Sequence, residues 1–401
     1  MESCLRILII TGDFGGEGRN PWLLDDLAVA FADAGDDVDV LAYDTKRGRA
    51  FGLNPYPDKR IRVFGAGPLK IRHGGTGNLL NYLAAGWRLH THGFRMVRRR
   101  QYDLCIYTSI GILSWWLPAR LQRAGIVRRT LFVLWDFFPI HQLQIGRIKH
   151  SALHAPLRLL EGLAMRSADA IAVMSPANQR YLHTYHPHVH VRTIIIVPPW
   201  ASDPGPVASD GLHRRQRFTV VFGGQLVAGR GIDTLLRAAR LLQDQAVPME
   251  CLIIGDGPER ARLMAFAVDI GVTNTTFMGR LHREEYRNVL QSAHVGIAIT
   301  VPGVTPPTFP SKIGEYCASG IPVIVCVEET SDAGKIVEAS GAGIGVLAGD
   351  DTRLAAAMET LYLEHLRGEL SSRADMARAL FDTVLSVKQA AEKIRSVAQE
   401  R

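Results

Sequence analysis

The chain reads as an α/β protein made of two Rossmann-like, parallel-sheet halves. Three observations predict this. Apolar runs of strand length alternate with amphipathic stretches of helical length. The strand runs are apolar throughout, as in parallel sheets covered on both faces. A break rich in proline and glycine (Pro198, Pro199, Pro204, Gly205, Pro206) interrupts the pattern, which then starts again.

In the first half the expected strands are Leu5–Ile10, Val38–Ala42, Ile61–Phe64, Leu104–Thr108, Leu131–Leu134, Ala170–Val173 and Arg192–Val197. Helical spacing of apolar residues predicts Leu23–Ala34, Leu79–Arg99 and Pro176–Thr184 between them. The second half restarts at Phe218–Phe222 and enters a helix at Ile232–Leu242. Met249–Ile254, Thr275–Met278, Val295–Ile299, Val323–Val327 and Gly343–Leu347 continue as strands. The divisions expected are 1–200, a linker at 201–216, and 217–386. A cleft between two such halves faces the carboxyl ends of both sets of strands, where ligands bind in open α/β folds.

A chain of 401 residues with 47% hydrophobic and 21% charged residues is long enough for two domains, each with its own core. No run of 18 apolar residues is present, and the N-terminus leads directly into a strand without a basic n-region, so a cytoplasmic location is expected. The five cysteines form no C-x-x-C pair and read as buried thiols. Charge is uneven: residues 1–200 hold 25 Lys+Arg against 15 Asp+Glu, and residues 201–401 hold 21 against 24. From Lys59 to Arg129 there are 14 basic residues and one acidic residue, Asp103, which suggests an anionic partner. Asp37-Val38-Asp39 has the D-x-D spacing of a metal motif, but at the start of a strand it reads as surface charge. The His183–His190 cluster reads as a solvated loop, so no metal ligand set is assigned.

The segment Thr308-Phe309-Pro310-Ser311-Lys312-Ile313-Gly314-Glu315-Tyr316 carries the most chemistry. Pro310 suits a first helical turn, and Gly320 with Pro322 ends the helix. Lys312 and Glu315, three apart, share a face. Free backbone N–H groups, a positive dipole end and a lysine suit a phosphate. Glu315 supplies an acceptor for sugar hydroxyls. Diphosphate plus ribose is the shape of a nucleotide.

This segment resembles the donor site of the family 4 retaining glycosyltransferases, in the branch that builds bacterial O-antigens and exopolysaccharides, where F-P-S-K-x-x-E-Y is a usual spelling. Matches run in family order from residue 5 to at least 326. The resemblance implies the GT-B fold, with a last helix, about 387–399, crossing back onto the first domain. It implies that Gly15 and Gly16, in Gly12-Asp13-Phe14-Gly15-Gly16, face the donor diphosphate. Gly223-Gly224-Gln225-Leu226-Val227-Ala228-Gly229-Arg230-Gly231 stands where relatives have G-R-L-x-x-x-K-G. Arg230 takes the place of the lysine and Gln225 that of the arginine, so Lys312 is left to supply a second cation. Gly224, Phe309, Pro310, Ser311 and Glu315 would bind donor, with Arg280 and Leu281 near the nucleobase. The family's first glutamate, eight before Glu315, is here Pro307. Leu134-Trp135-Asp136-Phe137-Phe138-Pro139 stands where many relatives have H-D-x-x-P. Trp135 replaces the histidine, and Asp136 is a candidate to orient the acceptor hydroxyl or take its proton. Val197-Pro198-Pro199-Trp200 resembles the run leading to the linker.

These matches imply an enzyme without cofactor or metal. It would move a sugar, with retention, from a UDP- or GDP-type donor to a saccharide or lipid-linked acceptor. Lys312 and Arg230 would stabilise the departing diphosphate, and front-face departure would let the leaving phosphate help deprotonate the acceptor. The basic first half, with its interleaved aromatics, would touch the inner face of an anionic membrane rather than nucleic acid. A nucleotide-sugar epimerase or hydrolase on the same fold, and a basic nucleic-acid-binding protein, remain alternatives. A dinucleotide oxidoreductase is disfavoured, because the glycine loop is not G-x-G-x-x-G.

Overall fold

A computed structural model describes residues 4–12, 14–15, 22–43, 52–54, 56–66, 86–108, 116–146, 152, 154–205 and 215–400. The first sheet contains β1 (Arg6–Thr11), β2 (Asp37–Tyr43), β3 (Gly52–Asn54), β4 (Ile61–Ala66), β5 (Tyr102–Thr108), β6 (Val127–Leu134), β7 (Ala170–Val173) and β8 (Thr193–Ile196). Its order is β3-β4-β2-β1-β5-β6-β7-β8, and the strand pairs are parallel except for β3 against β4. The short antiparallel edge strand β3 has no counterpart in the expected strands. Three residues give too little pattern to announce themselves.

The second sheet contains β9 (Phe218–Gly223), β10 (Met249–Ile254), β11 (Thr275–Gly279), β12 (Val295–Ile299), β13 (Val323–Val327) and β14 (Gly343–Leu347). It is wholly parallel, in the order β11-β10-β9-β12-β13-β14. Every residue of β9, β12 and β13 is buried, which is why these strands carry no polar alternation. The order reverses between β1 and β5 in one sheet and between β9 and β12 in the other. Those switch points open crevices at the strand carboxyl ends.

Helix Ile232–Asp244 shows the sequence logic: Ile232, Leu235, Leu236, Ala239 and Leu242 are buried at helical spacing on the sheet. The helix expected over Leu79–Arg99 lies partly outside the described residues. Within them it carries a π-turn at Leu89–Gly93 before Phe94–Val97.

The last helix, Val387–Gln399, starts at Ser386, whose Oγ accepts from Gln389 N–H at 3.3 Å. It packs on helix Leu23–Asp33 and on β5 and β6 of the first sheet. Arg395 makes a buried ion pair with Asp36, whose other oxygen accepts Leu5 N–H at 2.9 Å. Arg128 and Arg129 cap the helix end through Ala398 O and Glu400 O, cations at a negative dipole end. The two chain crossings run side by side: Ala201 N–H donates to Leu385 O and Val387 N–H to Ala201 O, both at 2.9 Å. A single buried cluster joins Ile9, Trp135, Trp200, Ile313, Tyr316 and Ile394, so the halves share core across the crossing.

Two charge readings need correction. Asp39 is 3% exposed, not a surface charge; it binds Arg62 and Tyr102, with Arg100 at 3.9 Å. Arg62 is its register partner on β4, so the pair neutralises itself across the strands. In the histidine run, His183, His188 and His190 are exposed, but His186 is buried and bonded at 2.9 Å to the fully buried Glu161. Burial takes His186 down to about 4 and pushes Glu161 well up, which favours a neutral pair.

Candidate active site

Helix Lys312–Ala318 buries Ile313, Gly314, Tyr316, Cys317 and Ala318 and leaves Lys312 and Glu315 half-exposed on its outer face. The helix begins at Lys312, so Pro310 lies in the preceding loop rather than in the first turn. Lys312 Nζ meets Glu315 Oε2 at 2.6 Å, the i,i+3 contact expected of the sequence. The ammonium also sits 4.8 Å from the Tyr286 ring centroid, within cation–π range. Tyr286 comes from helix Arg283–Ser292 and lies over Gly223, where a Cβ would come within 2.2 Å of its hydroxyl. Tyr316 fastens the same end of β9: its Oη accepts Gly223 N–H at 2.9 Å and donates to Ile297 O at 3.2 Å. Lys312, Glu315, Tyr286 and the Gly223-Gly224 turn therefore form one group at the second switch point.

The loop before this helix is held by a residue that the sequence did not single out. Glu328, 4% exposed, follows β13. Its carboxylate accepts Thr308 N–H, Thr308 Oγ1–H at 3.0 Å and Thr300 Oγ1–H at 3.0 Å. Ser331 Oγ–H donates to Thr308 O at 2.6 Å. Thr308 is thus fixed through backbone and side chain, and Phe309-Pro310-Ser311 leave it in a set direction, with Phe309 buried. The one available signal was an acidic residue directly after a buried strand. Pro307 serves the interdomain contact: its carbonyl accepts Asn178 Nδ2–H at 2.7 Å. Nearby, Asp332 Oδ2 accepts Ala177 N–H at 2.8 Å, and Gln144 exchanges hydrogen bonds with Thr305 at 2.9 Å.

Arg230 is exposed on the turn from β9 into helix Ile232–Asp244. The turn needs Gly231, which has φ +62° and no room for a Cβ, since Thr300 O would lie 2.2 Å away. Gly231 and Thr308 are thereby linked through Thr300 and Glu328. Gly229 lies against Ile145 of the first domain. Gly224 N–H donates to Ile254 O at 2.9 Å, holding the turn against β10. Arg280 is exposed after β11, while Leu281 is half-buried against the shared core.

On the first-domain side, Gly15 N–H donates to Asp25 Oδ1 at 2.5 Å and Trp22 N–H to Asp25 Oδ2 at 3.0 Å. Gly16 lies outside the described residues. Asp26, next on that helix, lies close enough to Glu315 to feel its charge. Burial raises its pKa and the Glu315 charge adds to this, against Ser202 and Arg283. A cavity of about 390 Å³ opens here, lined by Asp25, Asp26, Tyr56, Ser202, Asp203 and Arg283 among others. Trp135, in the histidine place, is 9% exposed and packs edge-on to Trp22 at 4.9 Å and beside Trp200 at 5.9 Å. Asp136 is more than half exposed, 3.8 Å from His141 Nδ1. Its loop is held from beneath by Phe138 N–H donating to Glu161 Oε1 at 2.7 Å. No contact joins Asp136 to the Lys312 group among the described residues.

Residues 23–200 match the family model described as glycosyl transferase 4-like domain, and residues 217–364 match that of glycosyl transferases group 1. Three solved structures are similar over almost the whole chain. One is sucrose-phosphate synthase from Thermosynechococcus elongatus (17% identity, 98% of each chain covered, TM-score 0.71). Another is trehalose-6-phosphate from E. coli bound with UDP-2-fluoro glucose (13%, 99% of each chain, 0.71). The third is Anabaena Alr3699/HepE in complex with UDP (16%, 98% of this chain and 100% of that one, 0.65). At these identities the likeness establishes the two-domain fold. No curated protein matches in sequence.

Proposed function

For a glycosyltransferase of the GT-B type, built from a 4-like and a group 1 domain, we propose that the Lys312 group binds the diphosphate and ribose of a nucleotide sugar. The enzyme moves the sugar, with retention, to a saccharide or lipid-linked acceptor in cell-surface polysaccharide assembly. The observation that carries the reading is the Lys312–Glu315 pair at the second switch point, beside Tyr286 and Gly223. A cation that meets a phosphate and a carboxylate that meets a hydroxyl pair are the two halves of nucleotide recognition. UDP in two of the similar structures supports a nucleotide ligand.

Lys312 and Arg230 stabilise charge as the diphosphate leaves, aided by backbone N–H groups of residues 227–231. Turnover without added divalent metal is part of the reading, and so is Asp136 as the group that meets the acceptor hydroxyl. Asp25 and Asp26 on the first-domain wall favour a neutral acceptor there over an anionic one. Exposed Trp87 and Trp116, among arginines of the 88–123 region, suit peripheral contact with an anionic membrane.

The test is a thermal-shift screen with UDP-, GDP- and dTDP-sugars, followed by product analysis with the labelled donor that stabilises. Transfer of label to an added acceptor supports the reading. Free sugar or an isomerised donor identifies a hydrolase or an epimerase, and no shift with any donor removes the nucleotide assignment.

A further inference from the structure

We propose that Tyr286 is a positioning residue of the donor site, which replaces Lys312 as the partner of Glu315 when a nucleotide diphosphate draws Lys312 away. The inference rests on the donor-site reading of Lys312 and Glu315 given above.

In the structure Lys312 is held twice, by Glu315 Oε2 at 2.6 Å and by the Tyr286 ring at 4.8 Å. Glu315 therefore already has a cationic partner. The Tyr286 hydroxyl is buried beside the Glu315 carboxylate and the Tyr316 hydroxyl, yet makes no hydrogen bond of good geometry to either. Leaving a buried hydroxyl unpaired costs on the order of 1–3 kcal/mol, so a second arrangement that pairs it is favoured.

A ligand cannot reach this oxygen, because it has almost no exposed surface and is packed over Gly223. The polar side chains beside it are those of Glu315 and Tyr316. Tyr316 Oη already accepts from Gly223 N–H and donates to Ile297 O. Its remaining lone pair is a neutral acceptor, and the Glu315 carboxylate is the stronger one. Burial first, then the neighbouring Tyr316 and Glu315, hold the Tyr286 phenol well above its ordinary pKa, so it stays a donor.

When a diphosphate takes Lys312, the Glu315 carboxylate loses its cation in a half-buried place. The Tyr286 O–H then donates to it; one ion pair opens, one charge-assisted hydrogen bond forms, and no proton is transferred. The Glu315 carboxylate stays aimed at the ribose, and the cost of releasing Lys312 falls.

Calorimetric titration with UDP, GDP and dTDP on wild type, Tyr286→Phe, Glu315→Ala and the double variant tests this, with thermal unfolding as a control for the fold. Tyr286→Phe keeps the ring and should weaken nucleotide binding roughly tenfold, the worth of one charge-assisted bond. The loss should enter the donor KM and leave kcat nearly unchanged. In the Glu315→Ala background the same change should add nothing, since the acceptor is gone. Wild-type affinity in Tyr286→Phe, or equal losses in both backgrounds, would overturn the exchange while leaving the donor site standing. A wild-type protein that binds none of the three nucleotides would overturn the donor site and the exchange together.

Discussion

At the scale of single residues the proposed donor site is an arrangement of charges whose partners can be named. Lys312 is within reach of a carboxylate and an aromatic face, and Arg230 stands on a turn that only Gly231 allows. Each cation is expected to stabilise the leaving diphosphate. Lys312→Ala and Arg230→Ala should each lower transfer on the order of 10²-fold or more with the melting temperature little changed. Initial rates with saturating donor check this, and wild-type turnover in both folded variants would sink the assignment. Glu328 acts one step further away. Glu328→Gln places an amide where the carboxylate accepts three hydrogen bonds, so at least one donor from Thr308 or Thr300 is left unmatched. The 308–311 loop should lose its set direction. The donor KM is then expected to rise several-fold, read from steady-state kinetics beside a thermal melt; an unchanged KM would leave Glu328 a purely structural acid.

Among the elements, the last helix joins the two domains. Val387–Gln399 belongs by sequence to the end of the second domain and by packing to the first. Its Arg395 is 5% exposed and paired with fully buried Asp36. Removing one partner of a buried ion pair strands the other charge, at a cost of about 3–5 kcal/mol. Arg395→Met should lower stability by that order in denaturant unfolding, whereas Arg395→Met with Asp36→Asn, which removes the charge and keeps an acceptor for Leu5 N–H, should recover much of it. Equal stability of the single variant and wild type would show that the pair contributes nothing. The neighbouring Arg128 and Arg129 close the C-terminal end of the same helix. Part of the basic excess that suggested an anionic partner is therefore internal structure.

Over the whole molecule, several basic residues of the first domain remain exposed among the described residues. Arg95, Arg98 and Arg99 are exposed near Trp87 and Trp116, which are 61% and 40% exposed. Arg100, by contrast, leans to buried Asp39 at 3.9 Å and is not a clean probe of a surface. Co-sedimentation with anionic vesicles should be salt-sensitive, each cation contributing about 1 kcal/mol. Arg95→Gln, Arg98→Gln and Arg99→Gln together should weaken it and leave nucleotide affinity unchanged. Equal recovery with neutral and anionic vesicles at low salt would exclude an electrostatic contact. No helix among the described residues is long and apolar enough to cross a membrane.

The sequence by itself determined what depends on near neighbours along the chain. Continuous apolar runs gave nearly every strand within a residue or two, because a strand covered on both faces has no polar side to show. The i,i+3 spacing of Lys312 and Glu315 placed them in contact, because helix geometry alone decides it. Tertiary structure decided whatever depends on a partner far along the chain. Asp39 read as surface charge until Arg62 and Tyr102 closed over it, and His186 as loop until Glu161 was packed beneath. Glu328 and Tyr286 look like an ordinary acid and an ordinary apolar helix position. Their contacts form only when β12, β13 and helix Arg283–Ser292 bring Thr308, Gly223 and Lys312 to them. A buried polar group is defined by what surrounds it, and linear spacing does not record those surroundings.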